Sequence, residues 1–63
     1  MKIILSDLLS IIDPLTVVEI NKNGDRIIFK GRTKDFKNFE DMTAYNIEPN
    51  STSREVYLEI DVY

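Results

Sequence analysis

Residues 16–31 read TVVEINKNGDRIIFKG, and this stretch decides the fold. Asn23-Gly24 at its centre is a strong hairpin signal. A type I′ turn needs positive φ at both central residues, and Asn and Gly tolerate that best. A two-residue turn there predicts Lys22 opposite Asp25, Ile20 opposite Ile27, Val18 opposite Phe29 and Val17 opposite Lys30. Val18, Ile20, Ile27 and Phe29 would then share an inner face. Val17, Glu19, Asn21, Arg26, Ile28 and Lys30 would share an outer one. A slip of one residue would scatter the apolar set over both faces, so turn chemistry and hydrophobic pattern agree. A lone hairpin is marginal in water and needs cover.

The cover comes from upstream. Residues 6–13, SDLLSIID, read as a short helix with Ser6 as N-cap and Asp7 near the positive end of the helix dipole. Leu5, Leu8, Leu9 and Ile12 make one apolar stripe at helical spacing. Pro14 disfavours helix at Asp13 and ends the run. So short a helix is unstable alone, and the inner face of the hairpin is its natural partner. Before it, KIIL fits either a short strand or a ragged helix start.

Downstream, residues 32–43 show no alternation. Phe36, Phe39 and Met42 recur every third residue, which predicts a turn or two of helix or 3₁₀ that drops its aromatics onto the core. Residues 55–63, EVYLEIDVY, alternate strictly: Val56, Leu58, Ile60 and Val62 on one face, Tyr57, Glu59, Asp61 and Tyr63 on the other. Residues 44–48 pair back across a 49–54 loop, with Tyr45 opposite Leu58 and Ile47 opposite Val56. Pro49 falls at the strand end, where a missing N–H does little harm. The sum is a single α+β domain over residues 1–63. A short N-terminal helix packs on one face of an antiparallel sheet of about four strands, built from two hairpins, 16–31 and 44–63.

Composition narrows the chemistry. The chain has 63 residues, no Cys and no His. A domain of this size buries only about 60% of its unfolded surface, so a homodimer is an expected route to stability. The usual general bases, nucleophiles and thiolate zinc sites are missing, so no enzyme activity, cofactor or metal is expected. Glu59 and Asp61 point to one side of a strand, but alternating acids there read first as a solvated face. Asp25 in NKNGD lacks the spaced acids and terminal Glu of a calcium loop. The two glycines, Gly24 and Gly31, read as turn residues and form no phosphate loop. No apolar run is long enough for a membrane helix, and Asp7 and Asp13 argue against a signal peptide. With Met first, the chain is expected to be a whole reading frame and cytoplasmic.

Charge is unevenly distributed. The net charge is −3, but residues 26–37 carry +4 and residues 38–63 carry −5. Arg26, Lys30, Arg32, Lys34 and Lys37 form a basic run that could meet a nucleotide or another anionic signal. The acidic total argues against direct nucleic-acid binding. The outer sheet face would mix Val17, Ile28, Tyr57 and Tyr63 with Glu59 and Asp61, and aromatics among charges suit a protein interface.

Taken together, SDLLSIID, LTVVEI, NGD, RIIFKG and YLEIDV make a pattern of helix, NG-type hairpin and closing alternating strand. It resembles small accessory proteins encoded by phages and prophages of low-GC Gram-positive bacteria. The resemblance implies an anti-defence role: a non-enzymatic binding protein, cytoplasmic in the infected or lysogenic bacterium, that inhibits a host protein such as a defence nuclease by occluding its surface. A purely structural dimeric module is the remaining alternative.

Overall fold

In the computed structural model, residues 2–37 and 42–63 are described. The elements run β1 (Ile3–Ile4), α1 (Leu5–Ile11), β2 (Val17–Lys22), β3 (Arg26–Arg32), a 3₁₀ turn (Thr33–Asp35), β4 (Thr43–Ser51) and β5 (Val56–Val62). All five strands join one sheet in the order β1-β4-β5-β2-β3. The α+β class stands, and both hairpins form. The sheet is mixed rather than antiparallel, because β5 lies parallel to β2, with Val18 beside Leu58 and Ile20 beside Ile60. The reason is apolar content. Leu58, Ile60 and Val62 need neighbours on both sides to leave water, so β5 takes the centre. The connection after β3 carries β4 round to the far side. The fifth strand is β1, which settles the KIIL ambiguity by pairing Ile3 with Ala44 and Ile4 with Thr43.

The helix begins two residues earlier than an N-cap at Ser6 implies. Ile4 stands at the N-cap position with extended backbone and supplies no side-chain cap. Leu5, the first helical residue, donates its N–H to the Met42 carbonyl at 2.7 Å. Sheet pairing by Ile3 and Ile4 leads the chain straight into the helix, so tertiary pairing overrides the capping preference. The apolar stripe packs as its spacing predicts. Leu5 and Leu8 are buried, while Leu9 and Ile12 pack half-buried beside them. Asp13 then makes an Asx turn, its Oδ1 accepting from the Leu15 N–H at 2.8 Å, and Thr16 N–H closes onto Asp13 O at 2.9 Å. Pro14 sits inside this turn, where its fixed φ is favourable.

The first hairpin keeps its turn chemistry and changes its register. Asn23 and Gly24 both have positive φ, +57° and +83°. The strands close one residue further out, with Lys22 opposite Arg26 and Asn21 opposite Ile27. A β-bulge then shifts the pairing again, so that Ile20 faces Phe29, Val18 faces Gly31 and Val17 faces Arg32. Ile28 is the extra residue. Two expectations are corrected here. Ile27 is 58% exposed instead of lining the inner face, and Ile28 packs against the core instead of lining the outer one. The bulge brings the larger Phe29 opposite Ile20, where its ring meets Phe36 at 5.0 Å between centroids. An aromatic ring has more apolar area to bury than Ile27 would at that place.

The connection is 3₁₀ followed by Phe36, which packs half-buried on the core, as does Met42. Phe39 lies outside the described residues. Thr33 ties the connection down: its N–H and its hydroxyl both donate to the Thr16 carbonyl at 2.9 Å.

The second hairpin is longer than its sequence suggests. Its loop is residues 52–55, closed by Thr52 N–H to Glu55 O at 2.8 Å. The Thr52 hydroxyl accepts from the N–H groups of Arg54 and Glu55, both at 3.2 Å. This Ser/Thr-type turn draws residues 49–51 into the strand. Ile47 therefore faces Ile60 instead of Val56, and Pro49 faces Leu58. The same shift moves Tyr45 away from Leu58, and a second irregularity between Ala44 and Asn46 sets Ala44 instead of Tyr45 opposite Val62. The inner face of the sheet then carries Val18, Ile20, Ala44, Ile60 and Val62, all fully buried beneath Leu5.

Candidate interaction face

Alternation on β2, β4 and β5 sends every second side chain to the face away from α1, and no described element covers that face. The register sets its layout. One row crosses the sheet as Lys30, Glu19, Glu59 and Glu48. The next crosses β2, β5 and β4 as Asn21, Asp61 and Asn46. Four carboxylates thus occupy neighbouring positions on strands spaced about 4.8 Å apart.

Two amides tie three of them, Glu48, Glu59 and Asp61, together. Asn21 Nδ2 donates to Glu59 Oε1 at 3.0 Å and to Asp61 Oδ1 at 3.5 Å. Asn46 Nδ2 donates to Asp61 Oδ2 at 3.0 Å and to Glu48 Oε1 at 2.9 Å. Each carboxylate oxygen so engaged accepts from a neutral donor. The amides orient the acids without neutralising them, so the patch stays anionic. Asn21 is only 6% exposed. A buried amide of that kind has to be hydrogen-bonded, and the carboxylates meet that need.

Tyrosines stand at both ends of the acidic centre. At the end near the first hairpin's turn, Tyr45 and Tyr63 lie 4.6 Å apart between ring centroids at 34°. At the other end, Lys30 Nζ lies 5.0 Å from the centre of the Tyr57 ring and 3.6 Å from Glu55 Oε1. That ion pair is exposed, with side chains at 46% and 40%, so it adds little stability.

The sequence-derived residues Tyr57, Glu59, Asp61, Tyr63 and Val17 fall on this face together. Ile28 does not, because the bulge turns it to the core. Asn46, Glu48 and Tyr45 belong to the face and were not singled out by sequence. The alternation of Asn46 and Glu48 was a usable signal, but the irregularity that brings Tyr45 over to Tyr63 leaves no mark in the pattern. Among the described residues no group of three or more carboxylates is arranged to hold a metal ion.

The basic run is spread out. Arg26 and Arg32 sit at opposite ends of β3, about 20 Å apart along a seven-residue strand. Lys30 leans on Tyr57, and Lys34 lines a separate cleft of about 420 Å³ with Ser10, Pro14, Thr33 and Phe36. In that cleft the Ser10 hydroxyl donates to Asp7 O at 2.6 Å, and the Thr33 hydroxyl is committed to Thr16. No single small anion could touch all five cations. No described helix is long and apolar enough to cross a membrane.

Comparison with protein-family profiles, with characterised proteins and with solved structures gives no match for this chain.

Proposed function

We propose that this protein is a non-enzymatic binding protein that acts by covering a basic surface of another protein. The observation that carries the reading is the uncovered sheet face. There Glu48, Glu59 and Asp61 are held in register by Asn21 and Asn46, with Glu19 beside Glu59, between Tyr57 at one end and Tyr45 with Tyr63 at the other. Fixed acids spare the entropy of ordering them on binding, and tyrosines add contact area at little conformational cost. A surface of this kind suits a groove that otherwise holds nucleic acid. The resemblance to phage and prophage accessory proteins makes a host defence nuclease, in the bacterial cytoplasm, the partner to look for.

The inhibitory reading is tested by co-purification from the bacterial host, comparing the native chain with Glu59→Lys/Asp61→Lys and with Tyr57→Ala, each checked for folding by circular dichroism. The partner should be retained by the native chain and lost by the folded variants. Equal retention by all three would rule this face out. Self-association through the face is opposed by its own charge, since two acidic centres would meet. A dimer, if formed, would therefore use another surface.

A further inference from the structure

The sheet has a second surface that no described element covers, the edge of β3. Its backbone polarity follows from the hydrogen bonds beside it. Thr33 N–H donates to Thr16 O, so Thr16 and Thr33 form a hydrogen-bonded pair. In an antiparallel ladder such pairs alternate, so Val18/Gly31 and Ile20/Phe29 are hydrogen-bonded, and Val17/Arg32 and Glu19/Lys30 are not. The bond from Asn23 N–H to Val62 O agrees, because it turns the odd residues of β2 toward β5. Lys30 and Arg32 therefore direct both their N–H and C=O groups away from β2, to the open side. Their side chains lie on the polar face, and the half-buried Phe29 lies on the other.

A second copy of the chain fits this edge poorly. Antiparallel pairing about a two-fold axis sets residues of even number against residues of even number. Between the bulge and the 3₁₀ turn the outward-directed residues are Lys30 and Arg32, so each such register opposes two cations: Lys30 with its own copy, Lys30 with Arg32, or Arg32 with its own copy. Like charges directly opposite are destabilising. The other open edge, on β4 beyond β1, carries Pro49, which has no N–H to give, so head-to-tail growth is also opposed. An acidic strand meets neither obstacle.

We infer that the free edge of β3 accepts an extended segment of a partner protein with acidic side chains at two alternate positions and an apolar residue between them. The incoming backbone pairs with the N–H and C=O groups of Lys30 and Arg32. Its two acids face the two cations on the polar side, and its apolar residue lies beside Phe29. This is strand addition with charge as the selecting term. It asks for a partner of the opposite charge from the acidic face, which Lys30 borders through its contacts with Tyr57 and Glu55.

The probe is a blocked eight-residue peptide alternating Glu and Val, added to isotope-labelled protein with amide exchange followed by NMR. The expected result is saturable binding that slows exchange of the Lys30 and Arg32 amides at least about tenfold. Lys30→Gln/Arg32→Gln should weaken it on the order of tenfold, through loss of two cross-strand charge pairs. Arg32→Pro should abolish binding with the fold intact, because Arg32 already has φ −75°, which proline adopts, and loses only an outward N–H. The inference is overturned if the peptide leaves both amides unprotected, or if a Lys–Val peptide protects them equally. It is also overturned if the free protein protects them in a concentration-dependent way, which would assign the edge to a second copy.

Discussion

The Asn21 side chain on β2 donates to the Glu59 carboxylate on β5 at 3.0 Å, across the one parallel junction of the sheet. That bond couples fold and surface. It satisfies a buried amide and fixes an acid that faces solvent. Asn21→Leu should cost about 1–2 kcal/mol, since Glu59 and Asp61 lose a donor. Asn21→Asp should cost more, because it adds a fifth carboxylate, and its extra penalty should shrink as salt is raised. Urea midpoints at low and high salt measure both, and a salt-independent Asn21→Asp penalty would contradict this account.

Ile27 and Phe29 test the bulge. A two-residue turn would make them equivalent inner-face residues. In the structure Ile27 is 58% exposed, while Phe29 packs on Phe36 and the core. Ile27→Ser should therefore change stability by no more than about 0.5 kcal/mol. Phe29→Ala should cost roughly 2–3 kcal/mol, somewhat below the value for a fully buried ring. Comparable losses at the two sites would place Ile27 inside and remove the bulge.

The two glycines should fail for different reasons. Gly24 has φ +83°, and among the described residues a Cβ there would meet Tyr45 Oη alone, at an ordinary 3.8 Å, so Gly24→Ala is a backbone effect of about 1 kcal/mol. At Gly31 a Cβ would lie 3.2 Å from Phe29 Cζ. Gly31→Ala thus requires the ring to move, and its cost should fall sharply in a Phe29→Leu background. A double-mutant cycle reads this: coupling between positions 29 and 31 is expected, and none between 29 and 24.

Ile60 lies at the centre of the core with no exposed surface, paired on one side with Ile20 and on the other with Ile47. Ile60→Ala should lose roughly 2–5 kcal/mol. For so small a domain that approaches the whole stability, so the variant should melt with little cooperativity or be unfolded at room temperature. A cooperative thermal transition within a few degrees of the native one would show that β5 is not central.

Local chemistry made much of this protein legible in its sequence. Alternation along residues 55–63 placed Tyr57, Glu59, Asp61 and Tyr63 on one face, and helical spacing placed Leu5, Leu8, Leu9 and Ile12 on one stripe. Asn23-Gly24 marked a turn with two positive φ angles. Each of these depends on residues a few positions apart, so a local pattern suffices. Tertiary structure decided the rest. Which strand lies beside β5 depends on how much apolar area each order buries, and that sum runs over the whole chain. The bulge at Ile28 and the irregularity near Tyr45 arise because Phe29 and Ala44 fit the core better than the regular register allows. Those two departures exchanged Ile28 for Tyr45 on the outer face and left Lys30 and Arg32 with their backbone turned to an open edge.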